Sequence, residues 1–503
     1  MPRSESTGAS FHSIVVIGAG LSGLQAANKL VEKYPDLLLV EASSRLGGRV
    51  QQAIFAVHSI GGAWHTTVSA LWRTASTYFT LSVLQGLLQE VNCNLREFDW
   101  PDYWYFGNSR QLVSGDAKVS DEELERLHEL FASVGQRVRP EPDISAAEWL
   151  RQEGASERMM AVADACYAND FGCSLHQLGL SEMITENQRW DSGDTYLILD
   201  RPLQALVQHL SKGVENNIQL QWPVSRIEYG PEGAKLYGPS GSVVQCRRVI
   251  VTVPIMMLQQ ERIIFSPPLP AEKTAAISRI KMSNAVKVIF AFSWPFWPTG
   301  FFDVVCTDSF MPEFWVTEYP ATSSDPATAG LCCMVGFVAG ARAEEISHLS
   351  QTAVITRSLA QLDHIFGKRS QNSPGNPRNM GLLVLMASRR GDFGNVSLIF
   401  RFIAKQGPIQ ASSRKHPATA AFVRAHVEDW SRSPYIGGAY SYPSLGARPG
   451  DRESLAASLG DTLFFAGEAT HPAVNPCMQA ALETGERAAA QVLRASEHVP
   501  SKL

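Results

Sequence analysis

This 503-residue chain is poor in several features that would place it quickly. Its eight cysteines, at 93, 166, 173, 246, 306, 332, 333 and 477, never form a CxxC pair. That spacing argues against a zinc site and against a secreted disulfide framework, and points to reduced, mostly buried thiols. No stretch reaches the roughly 18 uninterrupted apolar residues of a membrane helix. The leading MPRSESTGASFHS has no apolar secretory core. Basic excess is lacking too: 44 Lys and Arg stand against 49 Asp and Glu, a net charge of −5. Nucleic-acid binders usually show the opposite balance. Charged residues make up only 18% against 45% hydrophobic, so disorder is excluded and most of the chain should bury a core. The 38 Gly and 28 Pro follow no period, which excludes a collagen-like chain. For this length, two or three domains are expected.

What is present begins at the N-terminal end. Ser13–Ile17 is β-branched and apolar, as in a buried parallel strand. It runs into Gly18-Ala-Gly20-Leu-Ser-Gly23, and Leu21, Leu24, Ala27 and Leu30 then recur at helical spacing. Leu37–Val40 reads as a second strand, ending at Glu41. A GxGxxG in full strand–turn–helix–strand–acid context is a dinucleotide fingerprint. Gly18 permits the tight turn, Gly20 lets a pyrophosphate approach the backbone, and Gly23 lets the helix pack on the strand. Glu41 is placed to accept hydrogen bonds from the adenosine ribose. Arg45-Leu-Gly47-Gly48-Arg49 follows, two glycines for close approach between two guanidinium forks suited to phosphate. A plain Rossmann dehydrogenase has no need of that second loop.

With these motifs the sequence resembles the FAD-dependent amine oxidases, the monoamine and polyamine oxidase superfamily. Further segments carry the resemblance: Ile60-Gly-Gly62-Ala63-Trp64-His65, Trp222-Pro-Val224-Ser-Arg-Ile227, Arg248–Pro254, Phe464-Phe-Ala-Gly467-Glu468 and Met478–Arg487. The resemblance implies an α/β fold, with a Rossmann-like FAD-binding domain interleaved with an α+β substrate-binding domain. The first is expected to collect 10–95, 200–290 and 445–495, the second 96–199 and 291–444. FAD contacts are implied at Gly18, Gly20, Gly23, Glu41, Arg45, Gly47, Gly48, Arg49, Gly62, Ala63, Trp64, Val224, Gly467, Glu468 and Met478.

The resemblance also implies catalytic positions. Lys287, in Asn284-Ala-Val-Lys-Val-Ile-Phe290, matches the flavin-proximal lysine that holds a water at flavin N5. A lysine amid apolar strand residues is costly unless partnered or used. Trp430 and Tyr440 match residues beside the flavin, Tyr440 as one wall of the aromatic cage around the amine. Some family members carry a flavin-linked cysteine just before that tyrosine. Ala439 stands there in this chain, so FAD should be non-covalent. The second cage wall falls on Cys477, which suggests a wider pocket. His65 matches a substrate-site histidine of several polyamine oxidases. The implied reaction takes a neutral amine and O2, passes hydride to FAD N5, and yields an imine, then an aldehyde, with hydrogen peroxide. A polyamine oxidase is the nearest alternative. A flavin-bound chromatin demethylase or binding module, and a non-catalytic flavoprotein, are more distant.

Further readings complete the set. Ser501-Lys502-Leu503 matches the receptor-read peroxisomal address on a polar 496–503 tail, which implies the peroxisomal import receptor as a partner. A peroxide-forming oxidase suits a catalase-containing organelle. A homodimer is a compatible assembly. Two stretches, 68–83 and 376–409, fit the family pattern poorly and read either as lineage-specific loops or as retained intron sequence. No metal site is expected.

Overall fold

The computed structural model describes residues 10–51, 53–55, 58–62, 83–98, 103–114, 121–189, 196–199, 203–317, 331–367, 415–473 and 477–497. The 498–503 end of the tail with Ser501, Lys502 and Leu503, and nearly all of the two non-conforming stretches, lie outside those residues.

The expected first strand is Ser10–Ile17, with Ile14, Val15 and Val16 fully buried. It pairs in parallel with Leu38–Val40 on one side and with Val243–Val251 on the other. Val243–Val251 also takes Leu463–Phe465 in parallel. Strands Ile264–Ser266, Arg226–Gly230 and Gly233–Tyr237 extend one side, and Ile218–Gln219 the other, giving an eight-stranded sheet. Three distant chain segments therefore build one sheet. Helix Leu21–Val31 lays Leu24, Ala27 and Leu30 against it, all fully buried. Burying each such leucine is worth about 1.5–3 kcal/mol. The final helix Met478–Glu497 covers the same layer, sharing that core through Leu482, Ala488 and Val492.

The second sheet has seven strands, in the order Phe422–Asp429, Ala285–Phe292, Cys332–Ala339, Glu313–Thr317, Asp303–Thr307, Tyr103–Phe106, Gln111–Ser114. Its pairs are antiparallel except Asp303–Thr307 with Tyr103–Phe106. One face packs Val286, Val288, Phe290 and Phe292 against helix Gln351–Phe366. That helix starts at Ser350, whose hydroxyl accepts from Ala353 N at 3.2 Å. The expected charged helix near 121–134 is Glu122–Ala132, capped by Asp121 accepting from Leu124 N.

One boundary needs correction. The division expected at 290/291 cuts through strand Ala285–Phe292, which lies wholly in the second sheet. Apart from Lys287 its residues are apolar on both faces, so the sequence pattern alone could not assign it to either sheet. All eight cysteines are free, and seven are buried. No helix among the described residues is long and apolar enough to cross a membrane, and among them no cluster suited to a metal ion occurs.

Candidate active site

A cleft of about 560 Å³ opens along the carboxyl ends of the first sheet's parallel strands. Ligands sit at this edge in open α/β sheets. Gly18, at φ +104, starts the turn and donates its N–H to Val40 O at 2.8 Å. Gly23 is needed for contact: a Cβ there would stand 1.9 Å from Gly18 O. Helix Leu21–Val31 has no side-chain cap at its N-terminus, so its first N–H groups face the cleft, an arrangement suited to phosphate. Ser22 also lines the cleft, and its hydroxyl is buried with no hydrogen-bond partner in the protein.

Glu41 is held open-handed. Its Oε2 accepts from Ala19 N at 2.7 Å and its Oε1 from Ser43 N at 2.8 Å, leaving further lone pairs for ribose hydroxyls. The Arg45–Arg49 loop lies against the first turn, with Gly47 N donating to Ala19 O at 2.8 Å and Gly47 bridging to Gly20. Gly47 has φ +98, and a Cβ there would meet Val50 O at 2.5 Å. Burial lowers the Arg45 guanidinium from its usual value, opposed by Glu428 and Glu41. Arg49 Nη2 pairs with buried Glu468 Oε1 at 2.8 Å. Val224, Gly467, Glu468 and Met478 line the same cleft, so the loops expected to hold FAD converge from three parts of the chain. Thr252 and Tyr435 line it too, as do Met257 and Arg262, which sequence reasoning missed.

Strand alternation places the chemistry. Val286 and Val288 point into the helical core, which sends Lys287 to the opposite face. Its cross-strand neighbours are Phe337 and Glu428, and Phe337 in turn stands opposite Glu313. Lys287 Nζ lies 5.1 Å from the Phe337 ring centroid and 5.2 Å from that of Trp315. Burial lowers its ammonium from 10.5 to about 8, with Glu313 pulling the other way.

Phe337 and Trp315 belong to an apolar cluster that also holds Trp430 and Ala439, with Tyr440 packed on it. Lys287, Trp430 and Tyr440 are thus gathered on one face. Tyr440 also lines the cleft beside the glycine turns and so joins the two regions. Its hydroxyl donates to Asp170 O at 2.7 Å, and Gly172 abuts the ring, where a Cβ would come within 2.6 Å of Cε2. Burial, then Asp170 and Glu313, push its phenol well above the ordinary value. The Ala439–Tyr440 peptide is cis.

Cys477 lines the cleft beside Met478 and is 7% exposed. Its Sγ accepts from Ala480 N at 3.4 Å, and burial raises its thiol to about 12, so it is inert rather than nucleophilic at neutral pH. Gly62 ends strand His58–Gly62, opposite Ala53. Ala63, Trp64 and His65 lie outside the described residues. Sequence reasoning also missed Glu313 and Asp170. Only the register across three strands and the loop behind Tyr440 bring them to this face.

Comparison with known proteins agrees with this geometry. The profile of a family described as flavin containing amine oxidoreductase matches residues 21–385 and 406–493. The unmatched 386–405 falls inside the non-conforming 376–409 stretch. The chain is 26% identical over 499 residues to lysine-specific histone demethylase 1 homolog 2 of Oryza sativa subsp. japonica, covering 96% of this chain and 57% of that protein. It therefore spans little more than half the length of that relative. It is 24% identical over 534 residues to the human peroxisomal N(1)-acetyl-spermine/spermidine oxidase, covering 95% of this chain and 94% of that one. A putrescine oxidase solved with putrescine bound shares the fold at a TM-score of 0.71, with 16% identity over 97% of this chain and 100% of that chain.

Proposed function

Because the chain belongs to the flavin containing amine oxidoreductase family and takes FAD as its cofactor, we propose that it oxidises an amine at the expense of O2. When bound, FAD would supply a two-electron acceptor for the carbon bearing the amine, with O2 as the final acceptor and hydrogen peroxide as its product. The protein supplies the seat. The glycine turns, Glu41, Arg45 and Arg49 hold the dinucleotide, and with Ala439 before Tyr440 no thiol is present there to bond the flavin, so FAD is held non-covalently. The apolar wall of Trp430, Tyr440, Phe337 and Trp315 disfavours a charged ammonium and selects the neutral amine. Tyr440 offers its ring face because its hydroxyl is engaged with Asp170 O. Lys287, with an ammonium lowered to about 8, holds a water and exchanges its proton near neutral pH.

The observation that carries this reading is the convergence of Lys287, Trp430 and Tyr440 on one sheet face, with Tyr440 also lining the dinucleotide cleft. The test is anaerobic bleaching of the bound flavin by arylalkylamines, long-chain amines, polyamines, amino acids and a methyl-lysine peptide. Bleaching by none of them would favour a non-catalytic flavoprotein.

A specific observation favours a substrate with a second ammonium. Glu313 stands opposite Phe337, the cross-strand neighbour of Lys287, and Asp170 takes the Tyr440 hydroxyl on its backbone carbonyl. Carboxylates near the amine site would attract a distal cation. Bleaching by a methyl-lysine peptide alone would turn the assignment toward demethylation. Peroxisomal residence is proposed on the Ser501-Lys502-Leu503 tripeptide. The interleaved domain division is likewise proposed, with its boundary moved to precede Ala285.

A further inference from the structure

From the wall of the cofactor cleft a line of alternating charge runs back into the protein. It begins at Arg49, which lines the cleft and pairs with Glu468 Oε1 at 2.8 Å. The other oxygen of Glu468 accepts from the Ser441 hydroxyl. Ser441 Oγ in turn accepts from Arg452 Nη1 at 3.2 Å. Arg452 Nε pairs with Glu182 Oε1 at 2.5 Å, and Glu182 Oε2 accepts from Ser444 N at 2.9 Å. The remaining donors of Arg452 reach Ala469 O and Tyr442 O, each at 3.3 Å. Ser441, Arg452 and Glu468 are all buried.

The direction of each bond matters. Arg452 has donors only, so Ser441 must accept from it and turn its own proton toward Glu468. Among the described residues Glu468 then has two side-chain partners, Arg49 and the serine hydroxyl. If the serine proton is lost or turned away, a buried carboxylate leans on Arg49 alone and draws its guanidinium from the cleft. The same guanidinium of Arg452 ties Ser441 and Tyr442 to Ala469, fixing the backbone that follows Tyr440. A lysine offers one point charge and cannot span these acceptors.

We propose that Arg452 is a positioning residue. Through Ser441 and Glu468 it keeps Arg49 available to the cofactor pyrophosphate, and through Tyr442 it sets the Tyr440 ring against the substrate. This rests on the FAD-linked amine oxidation argued above, but its first readout, retention of FAD, does not depend on the substrate.

The test compares holoenzyme variants Arg452→Lys, Ser441→Ala and a control, Arg279→Lys. Arg279 also pairs with a buried carboxylate, Asp451, on the helix that carries Arg452, and neither Arg279 nor Asp451 lines the cleft. FAD release is followed by flavin fluorescence on dilution, and the flavin absorbance spectrum is recorded. Arg452→Lys and Ser441→Ala are expected to release FAD about tenfold more readily, with a shifted spectrum. KM for whichever amine bleaches the flavin is expected to rise more than kcat falls. Arg279→Lys is expected to keep wild-type FAD retention even where it lowers the unfolding midpoint. Wild-type retention in Ser441→Ala overturns the proposal whatever Arg452→Lys does, and it decides alone if Arg452→Lys does not fold. Equal loss of FAD in Arg279→Lys also overturns it.

Discussion

Replacing Lys287 with methionine should make the protein more stable and less active at once. The folded protein holds the Lys287 ammonium at about 8 against 10.5 for the free group, and desolvation is the largest cause. At about 1.36 kcal/mol per tenfold change, that gap corresponds to at most about 3 kcal/mol of charge-burial cost near pH 7. Methionine matches the stem and removes the charge. It also forfeits the ammonium's contacts with the Phe337 and Trp315 rings, worth about 1 kcal/mol. The net expectation is a gain of about 2 kcal/mol near neutral pH. The cost to wild type is fully present below about pH 8, where the lysine is charged in both states. It fades as pH rises toward 10.5, where the lysine is neutral in both. The advantage of Lys287→Met should therefore shrink over that window. Unfolding of FAD-saturated wild type and variant, followed near pH 7 and again near pH 10, measures it. Stopped-flow reoxidation of reduced flavin should show most of the rate gone in the variant. A variant less stable than wild type near pH 7, or an advantage that stays constant with pH, would refute the burial argument. A wild-type reoxidation rate would remove Lys287 from the chemistry.

Other predictions follow from single contacts. Gly23→Ala places a methyl 1.9 Å from Gly18 O, so purified protein should carry little FAD, read as the ratio of flavin to protein absorbance. Glu313→Gln should cost roughly tenfold in kcat/KM for a diamine relative to a monoamine of matched length, and an unchanged ratio would end the second-ammonium reading. Acid precipitation of the holoenzyme should leave all yellow colour in the supernatant, because Ala439 offers no nucleophile before Tyr440; flavin in the pellet would contradict non-covalent binding. A reporter carrying the last ten residues should sort to peroxisomes, and cytosolic residence would refute the address.

What the sequence revealed, and what it concealed, follows from the range of each interaction. The turn at Gly18, Gly20 and Gly23 and the acid at Glu41 are coded within about thirty residues, so their pattern carried their geometry. Lys287 stood out because a lone cation interrupts an apolar strand. Yet which side it faced, and whether its strand joined the first or the second sheet, depended on partners more than forty residues away in sequence, Phe337 and Glu428 among them. A strand buried on both faces lacks the alternation that would have revealed this, which is why the boundary at 290/291 fell inside it. Glu313 and Asp170 are silent for the same reason. Each is an ordinary acid until register or a loop sets it near Tyr440. The line from Arg49 to Glu182 is the extreme case. Its members sit at 49, 182, 441, 452 and 468, and no local pattern joins them. Such a line cannot be built one residue at a time without leaving a buried charge unpaired. Its members should therefore depend on one another, so losing Ser441 and losing Arg452 should together cost little more FAD retention than losing either alone.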